Sequence, residues 1–302
     1  MIFRIRHTTH FTYEKPAYES HNEVRVAPRS SPGQRCLSFD IEVTPKAAIL
    51  AYDDSFKNRV HAISVHPPHE ELSIVAISVV ERQPPRPGAP LRVPFGEFLA
   101  EDAARSAEHY EFLNPSHYVP FSDRLRKFFW SARPAPTETV VEYTMRMVRY
   151  VRDQFEYDQD KTHVYSSVDD ILAAGGGVCQ DFAHLTIGLL RLAGVPARYV
   201  SGYLAPRAGV DVNYAEQASH AWIEVLLPGT GWTGFDPTLR SRTGDHHIRV
   251  AIGRDYSDVP PLRGVYRSGG TSGEMRVELS IQSEDAAEPS VHRTQMQNQS
   301  QQ

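Results

Sequence analysis

Gly175, Gly176 and Gly177 run into Cys179, and from Cys179 to Ala193 the chain is nearly apolar on every side. That stretch leaves a fold little freedom. A helix apolar all round cannot lie on a surface, so it has to form the buried centre of a layered domain. Gly194 and Pro196 supply its stop, and the glycines before the cysteine permit a tight, closely approaching backbone. Cys179 is thus predicted to open a buried helix. There the partial positive charge and N–H groups of the first turn favour a thiolate and can receive a developing oxyanion. A structural cysteine, simply buried, is the other reading of the position.

A second segment, residues 218–227, alternates with period two: Ala221, Ile223, Val225 and Leu227 share one face, His220, Trp222 and Glu224 the other. PGTG turns the chain, and residues 231–238 read as a returning strand that stops at Asp236-Pro237. A histidine on a strand is usually a satisfied structural residue. Here it shares a hairpin with an aspartate, and a thiolate needs a base whose tautomer an acceptor fixes. The pair can cooperate only from one face, which requires paired residue numbers with an even sum. A four-residue turn fails this test, because it would set Asp236 opposite Ile223. An odd loop pairing Leu227 with Gly231, or a bulge, satisfies it, with Gly229 or Gly231 in a left-handed conformation.

The remainder of the chain divides by pattern. Residues 1–90 hold closely spaced β-branched runs, separated by turn chemistry such as RSSPGQ and YDDSFKN, and predict an antiparallel β module. A proline-rich stretch, RQPPRPGAPLRVP, marks a boundary. Residues 91–136 read as a linker with short helices over 97–112 and 121–131. Residues 137–283 read as an α+β core that opens on a helix capped by Thr137. Residues 284–302 are polar and predict a disordered tail.

Composition excludes several classes. A net charge of −5 with scattered arginines gives no nucleic-acid footprint. No apolar run reaches the roughly 18 residues of a membrane span, and the first residues lack a signal-peptide core. A soluble cytoplasmic protein with no membrane partner is the simplest expectation. Two cysteines, Cys36 and Cys179, make neither a disulfide framework nor a thiolate zinc site. His246 and His247 are adjacent on a strand, point to opposite faces and make a poor ligand pair. No metal and no cofactor are expected. Asp181 reads as a helix cap and His184 as a packed residue rather than a second base.

The order Cys179, His220, Asp236 resembles the transglutaminase-like superfamily. GGGVCQDFAHL is similar to its nucleophile helix, SHAWIEV to its histidine strand and GWTGFDPT to its aspartate strand. GDHHIRVAIGRDYSDVPPLRG resembles the closing segment of the bacterial branch, and the β-rich first residues resemble the module that accompanies it. The resemblance implies a papain-like core with a buried nucleophile helix on an antiparallel sheet. It also implies acyl-transfer chemistry on a peptide or protein substrate, with Cys179 as nucleophile, His220 as base and Asp236 as its orienter. The oxyanion would be held by the Cys179 N–H and an upstream side chain; Phe155-Glu156-Tyr157 offers no indole, which leaves Tyr157. Gln180 and Trp222 are further candidates for the substrate site. No acidic loop supports calcium activation. A catalytically silent binding module, or a scaffold whose β module binds a partner, is the competing reading. Oligomeric state is not readable from the sequence.

Overall fold

The computed structural model describes residues 1–83, 92–100, 109–206, 219–270, 273–284 and 293–297, the last five and residue 100 by backbone alone. The chain opens on β1 (Ile2–Val24), whose side chains alternate in and out: Phe3, Ile5, His7, Thr9, Phe11 and Tyr13 point inward. β2 (Gln34–Thr44), β3 (Ala48–Asp53), β4 (Arg59–Val65) and β5 (His69–Arg82) follow. The first half of β1 pairs with β5 and the second half with β4, with irregular register at Thr12–Ala17 where the strand bends. One long strand therefore links two parts of a single eight-stranded sheet among the described residues. Between them lies a core of Phe11, Tyr13, Val24, Ile63, Leu72 and Ile74.

Helix α1 (Phe95–Ala100) and a single 3-10 turn at Tyr110–Phe112 occupy part of the helical stretch expected over 97–112, of which residues 101–108 lie outside the described residues. Most of the proline-rich boundary, residues 84–91, also lies outside them. Helix α2 (Asp123–Ala132) starts on Ser122, whose side chain accepts from Leu125 N. Helix α3 (Val140–Gln154) is capped by Thr139 in a reciprocal box with Glu142, two residues beyond the expected Thr137. The glutamate decides this, since only Thr139 has one at the third helical position. β6 (Glu156–Tyr157), α4 (Val168–Ala174) and β7 (Gly176–Gly177) lead to α5 (Cys179–Leu192).

Helix α5 is the centre of the second core. Phe182, Ala183, Leu185, Ile187, Leu189 and Leu190 are all fully enclosed. Each large side chain so buried contributes about 1.5–3 kcal/mol. The helix packs on a sheet ordered β11 (Ser241–Arg242), β10 (Gly231–Asp236), β9 (Ser219–Leu227), β8 (Ala197–Leu204), β12 (His247–Gly253). Ala221, Ile223, Val225 and Leu227 meet the helix core, as the alternation in the sequence requires. The architecture is α+β.

The chain does not stay in this core up to residue 283. β13 (Leu262–Ser268) and β14 (Gly273–Ser283) return to pair with the two halves of β1, so this part of the expected core belongs to the N-terminal sheet. β15 (Arg293–Gln297) adds to β14, which places five residues of the expected disordered tail in a strand. Residues 285–292 and 298–302 lie outside the described residues.

The N-terminal module closes the β12 edge with side-chain amides. Gln34 donates to Arg249 O (2.7 Å) and accepts from Arg249 N (2.9 Å). Asn58 does the same with Ile252, at 2.8 and 2.9 Å. Both amides stand where the next strand's backbone would pair, so the edge has no open template.

Candidate active site

β9 and β10 are joined by a three-residue loop, 228–230, with Gly231 opposite Leu227, Gly234 opposite Glu224 and Phe235 opposite Ile223. Gly229 and Gly231 both take positive φ, 77° and 70°, which other residues reach only with strain. This is the odd register that cooperation requires. Continued by one step, it sets Asp236 level with Trp222, on the His220 face and diagonal to His220.

Their side chains meet. His220 Nε2 lies 2.7 Å from Asp236 Oδ2, and His220 is also hydrogen-bonded to the Cys179 side chain. With Nε2 committed to the aspartate, Nδ1 is the nitrogen left to serve the sulfur. All three residues are buried, Asp236 completely. Burial alone would lower the His220 pKa; the Asp236 carboxylate and the Cys179 sulfur outweigh it and hold the imidazole well above its ordinary value. Burial would likewise raise Asp236, but His220 and His247 hold it well below the usual carboxylate range. The arrangement therefore stabilises an imidazolium beside the Asp236 carboxylate, the form that delivers a proton to a leaving group.

A further histidine stands on the same carboxylate. His247 Nε2 is 3.0 Å from Asp236 Oδ2, while His247 Nδ1 accepts from Gly244 N at 3.1 Å. Burial pushes His247 down in pKa against the pull of Asp236, so it is neutral. The acceptor role of Nδ1 leaves the proton on Nε2, which donates to Asp236. Asp236 Oδ1 accepts from Leu239 N at 3.0 Å just after the proline turn. His246, in the turn just before β12, bonds to Ala205 O instead. Adjacency on one strand is the expected reason to separate the two histidines, but His246 precedes the strand. Adjacency could not tell that His247 shares a face with His220, because that follows from the pairing of β12 with β8 and β8 with β9.

Ligand-type atoms of His220, Asp236 and His247 lie within 4.8 Å of one another. Each is already engaged by another member of the group, and the His247 tautomer puts a proton, not a lone pair, on the atom that would ligate. The donor set fits a hydrogen-bond relay rather than a metal centre.

The helix start is built with similar economy. Asp181 Oδ2 accepts from Val178 N (2.8 Å) and Thr162 Oγ1 (2.5 Å), so it caps α5, as expected. Burial raises its pKa to about 6. Gly177 is needed for closeness here: a Cβ on it would stand 2.3 Å from Asp181 Oδ2. Gln180 spends one amide proton on Val164 O (2.9 Å), tying the 158–167 segment to the start of the helix. Tyr157 pairs with Gly177 in a short parallel bridge, and its ring packs edge-on to Phe182. Trp222 is buried behind the imidazoles rather than walling an open cleft, 6.1 Å from the His220 ring and 5.3 Å from that of His247. His184 Nε2 accepts from Tyr256 N, a packed role. Cys36 is half-buried on β2 and is not part of this cluster.

A cysteine opening a buried helix, set against a histidine–aspartate hairpin, defines a papain-like arrangement. Residues 131–237 match the family model of the transglutaminase-like superfamily, and residues 3–81 match that of the bacterial transglutaminase-like N-terminal region. An uncharacterized protein of Mycobacterium leprae is 36% identical over 279 residues, covering 92% of this chain and 98% of its own length. The chain belongs to the transglutaminase-like superfamily. A solved structure from Cytophaga hutchinsonii, assigned as a candidate cysteine protease, superimposes with a TM-score of 0.72 at 24% identity, covering 98% of both chains. A protein-glutamine gamma-glutamyltransferase of Pseudomonas aeruginosa is 39% identical over 77 residues, 24% of this chain and 12% of that protein. Among the described residues, no helix is long and apolar enough to cross a membrane.

Proposed function

We propose that the protein is a cysteine-dependent acyl-transfer enzyme acting on peptide or isopeptide amides, with Cys179 as nucleophile, His220 as acid and base, and Asp236 as orienter. The observation that carries the reading is the continuous contact from Cys179 through His220 to Asp236. The sulfur forms a bond to the amide carbonyl carbon, and the oxyanion develops at the positive end of the α5 dipole. As the C–N bond breaks, the His220 imidazolium gives its proton to the departing amine, leaving a thioester. Water then attacks, returns a proton to His220 and releases a carboxylic acid and the free sulfur.

Hydrolysis is the default outcome. Water at roughly 55 M takes a thioester unless a site excludes it and binds an amine, and no residue of the cluster marks an amine site. The Pseudomonas relative carries a transferase name, so the competing acceptor is a lysine-type amine. Incubation with a casein-type substrate and a labelled amine is expected to give more acid release than amine incorporation. Cys179→Ala is expected to abolish both, and Cys36→Ala to leave both near wild type. Equal loss in the two folded variants would remove Cys179 from its role. Incorporation exceeding release would make the protein a transferase.

A further inference from the structure

Arg82, the last residue of β5, reaches out of the N-terminal module and donates to Gly244 O (2.9 Å) and Asp245 O (3.4 Å), while a further donor holds Gly33 O (3.0 Å). It is buried, and its own backbone is clamped to Met1 in both directions, at 2.8 and 3.0 Å. Gly244, held through its carbonyl, is also the residue whose own N–H fixes the His247 tautomer. An unbroken line of contacts thus runs from Arg82 through Gly244 to His247, Asp236, His220 and Cys179.

We propose that His247 is a positioning residue for the candidate site, held in a donor tautomer by a loop that Arg82 of the N-terminal module fixes, so that the module is a working part of the active site. This rests on the reading of Cys179 as nucleophile. The physical argument is one of competition for a carboxylate. Asp236 Oδ2 has two donors, and a carboxylate held by only one can rotate and drop the other. His247 supplies a donor that cannot turn into an acceptor while the Gly244 N–H occupies Nδ1. A metal-free orienter of this kind leaves the carboxylate charged and aimed. His220 and Asp236 face His247 from β9 and β10, Arg82 from β5, and Asp245 and His246 precede it in the adjoining turn. Of these, only Asp236 accepts from it.

The test uses the full-length protein and needs no substrate. Iodoacetamide labelling of Cys179 is followed at neutral pH by peptide mass spectrometry, with Cys36 as internal reference. His247→Phe is expected to slow Cys179 labelling by about tenfold, the effect of one hydrogen bond to a charged group. His247→Gln keeps a donor at the same reach and is expected to recover most of that rate. Nitrogen NMR of the histidine rings is expected to show His247 as the Nε2–H tautomer in wild type and as a mixture in Arg82→Met. A folded His247→Phe that labels like wild type, or a Gln variant as slow as the Phe one, overturns the positioning role. An unchanged tautomer in folded Arg82→Met overturns the part given to the module. Wild-type Cys179 labelling no faster than Cys36 is a different failure: it removes the nucleophile itself, and the inference with it.

Discussion

Leu227 pairs with Gly231 across three loop residues, and that single pairing decides on which face of the sheet Asp236 emerges. One more residue in the loop would turn the aspartate toward Ile223 and the helix core, where a carboxylate has no partner. The turn is thus a chemical requirement as much as a folding one. Two left-handed glycines, Gly229 and Gly231, meet it.

Two glycine substitutions should separate backbone strain from close approach. Gly231 has open space around its missing Cβ, so Gly231→Ala is expected to cost only the left-handed penalty, about 1–2 kcal/mol, with activity near normal. Gly177→Ala drives a methyl into the Asp181 carboxylate, so the α5 cap must shift and the helix start with it. Its activity loss is expected to exceed that of Gly231→Ala at equal or smaller loss of stability. Denaturant melts and turnover on the same preparations check both; an active Gly177→Ala would detach the cap from the chemistry.

Asp181 also sets a pH signature. Its folded pKa is raised to about 6, so the folded state holds the proton more tightly than the unfolded chain. A raised carboxyl contributes stability that is complete below the unfolded value of about 3.9 and is lost as pH climbs through about 6. Asp181→Asn has no such proton. Relative to wild type, the variant should therefore gain on the order of 2–3 kcal/mol between about pH 4 and about pH 7. Urea midpoints at the two pH values give the sign directly, and a flat difference would mean that the carboxyl is not raised.

Most of the core was readable from local pattern. The all-round apolar run after Cys179 needs a buried helix, and the alternation through His220 fixes faces without knowledge of any neighbour. Parity reached further, because a hairpin's two strands share one loop. What escaped depends on pairings distant in sequence. The His247 face follows from β12 lying beside β8, and the return of β13 and β14 to β1 leaves no mark in their own residues. Gln34 and Asn58 sit in stretches that read as ordinary turns, and nothing local says that their amides finish another domain's edge.

That edge can be tested at Asn58. Its amide satisfies both the N–H and the C=O of Ile252 and also meets Asp54. Asn58→Leu keeps the volume but orphans two backbone groups that stay buried. The expected cost is about 2–6 kcal/mol, from roughly 1–3 for each of the two unsatisfied groups. If the module instead lifts away and water reaches β12, hydrogen exchange at Ile252 should rise far more than at Leu189 in α5. A variant with wild-type stability and protection would mean that the amide pairing is dispensable.

Asp236→Asn gathers the site's electrostatics into one experiment. The carboxylate accepts on both oxygens, from His220 and His247 on Oδ2 and from Leu239 N on Oδ1. An amide has only one oxygen. With its NH2 toward Leu239, two donors face each other; flipped, the NH2 confronts the His247 N–H. Either orientation leaves a buried donor unmatched, at about 1–3 kcal/mol. The lost charge adds a pH-dependent part whose sign differs by group. The depressed Asp236 pKa contributes stability present above about pH 3.9 and lost as pH falls through the lower folded value. The raised His220 pKa contributes stability complete below about pH 6.5 and lost as pH rises through its higher folded value. Wild type collects both between those limits, whereas the variant collects neither. The stability deficit of Asp236→Asn is therefore expected to be largest between about pH 4 and about pH 6.5 and to shrink toward acid and toward alkali. Turnover should fall in the same window, by less than for His220→Ala, because a neutral orienter still holds the ring. A deficit constant across pH would mean that the pair carries no charge, and the imidazolium reading of His220 would have to be abandoned.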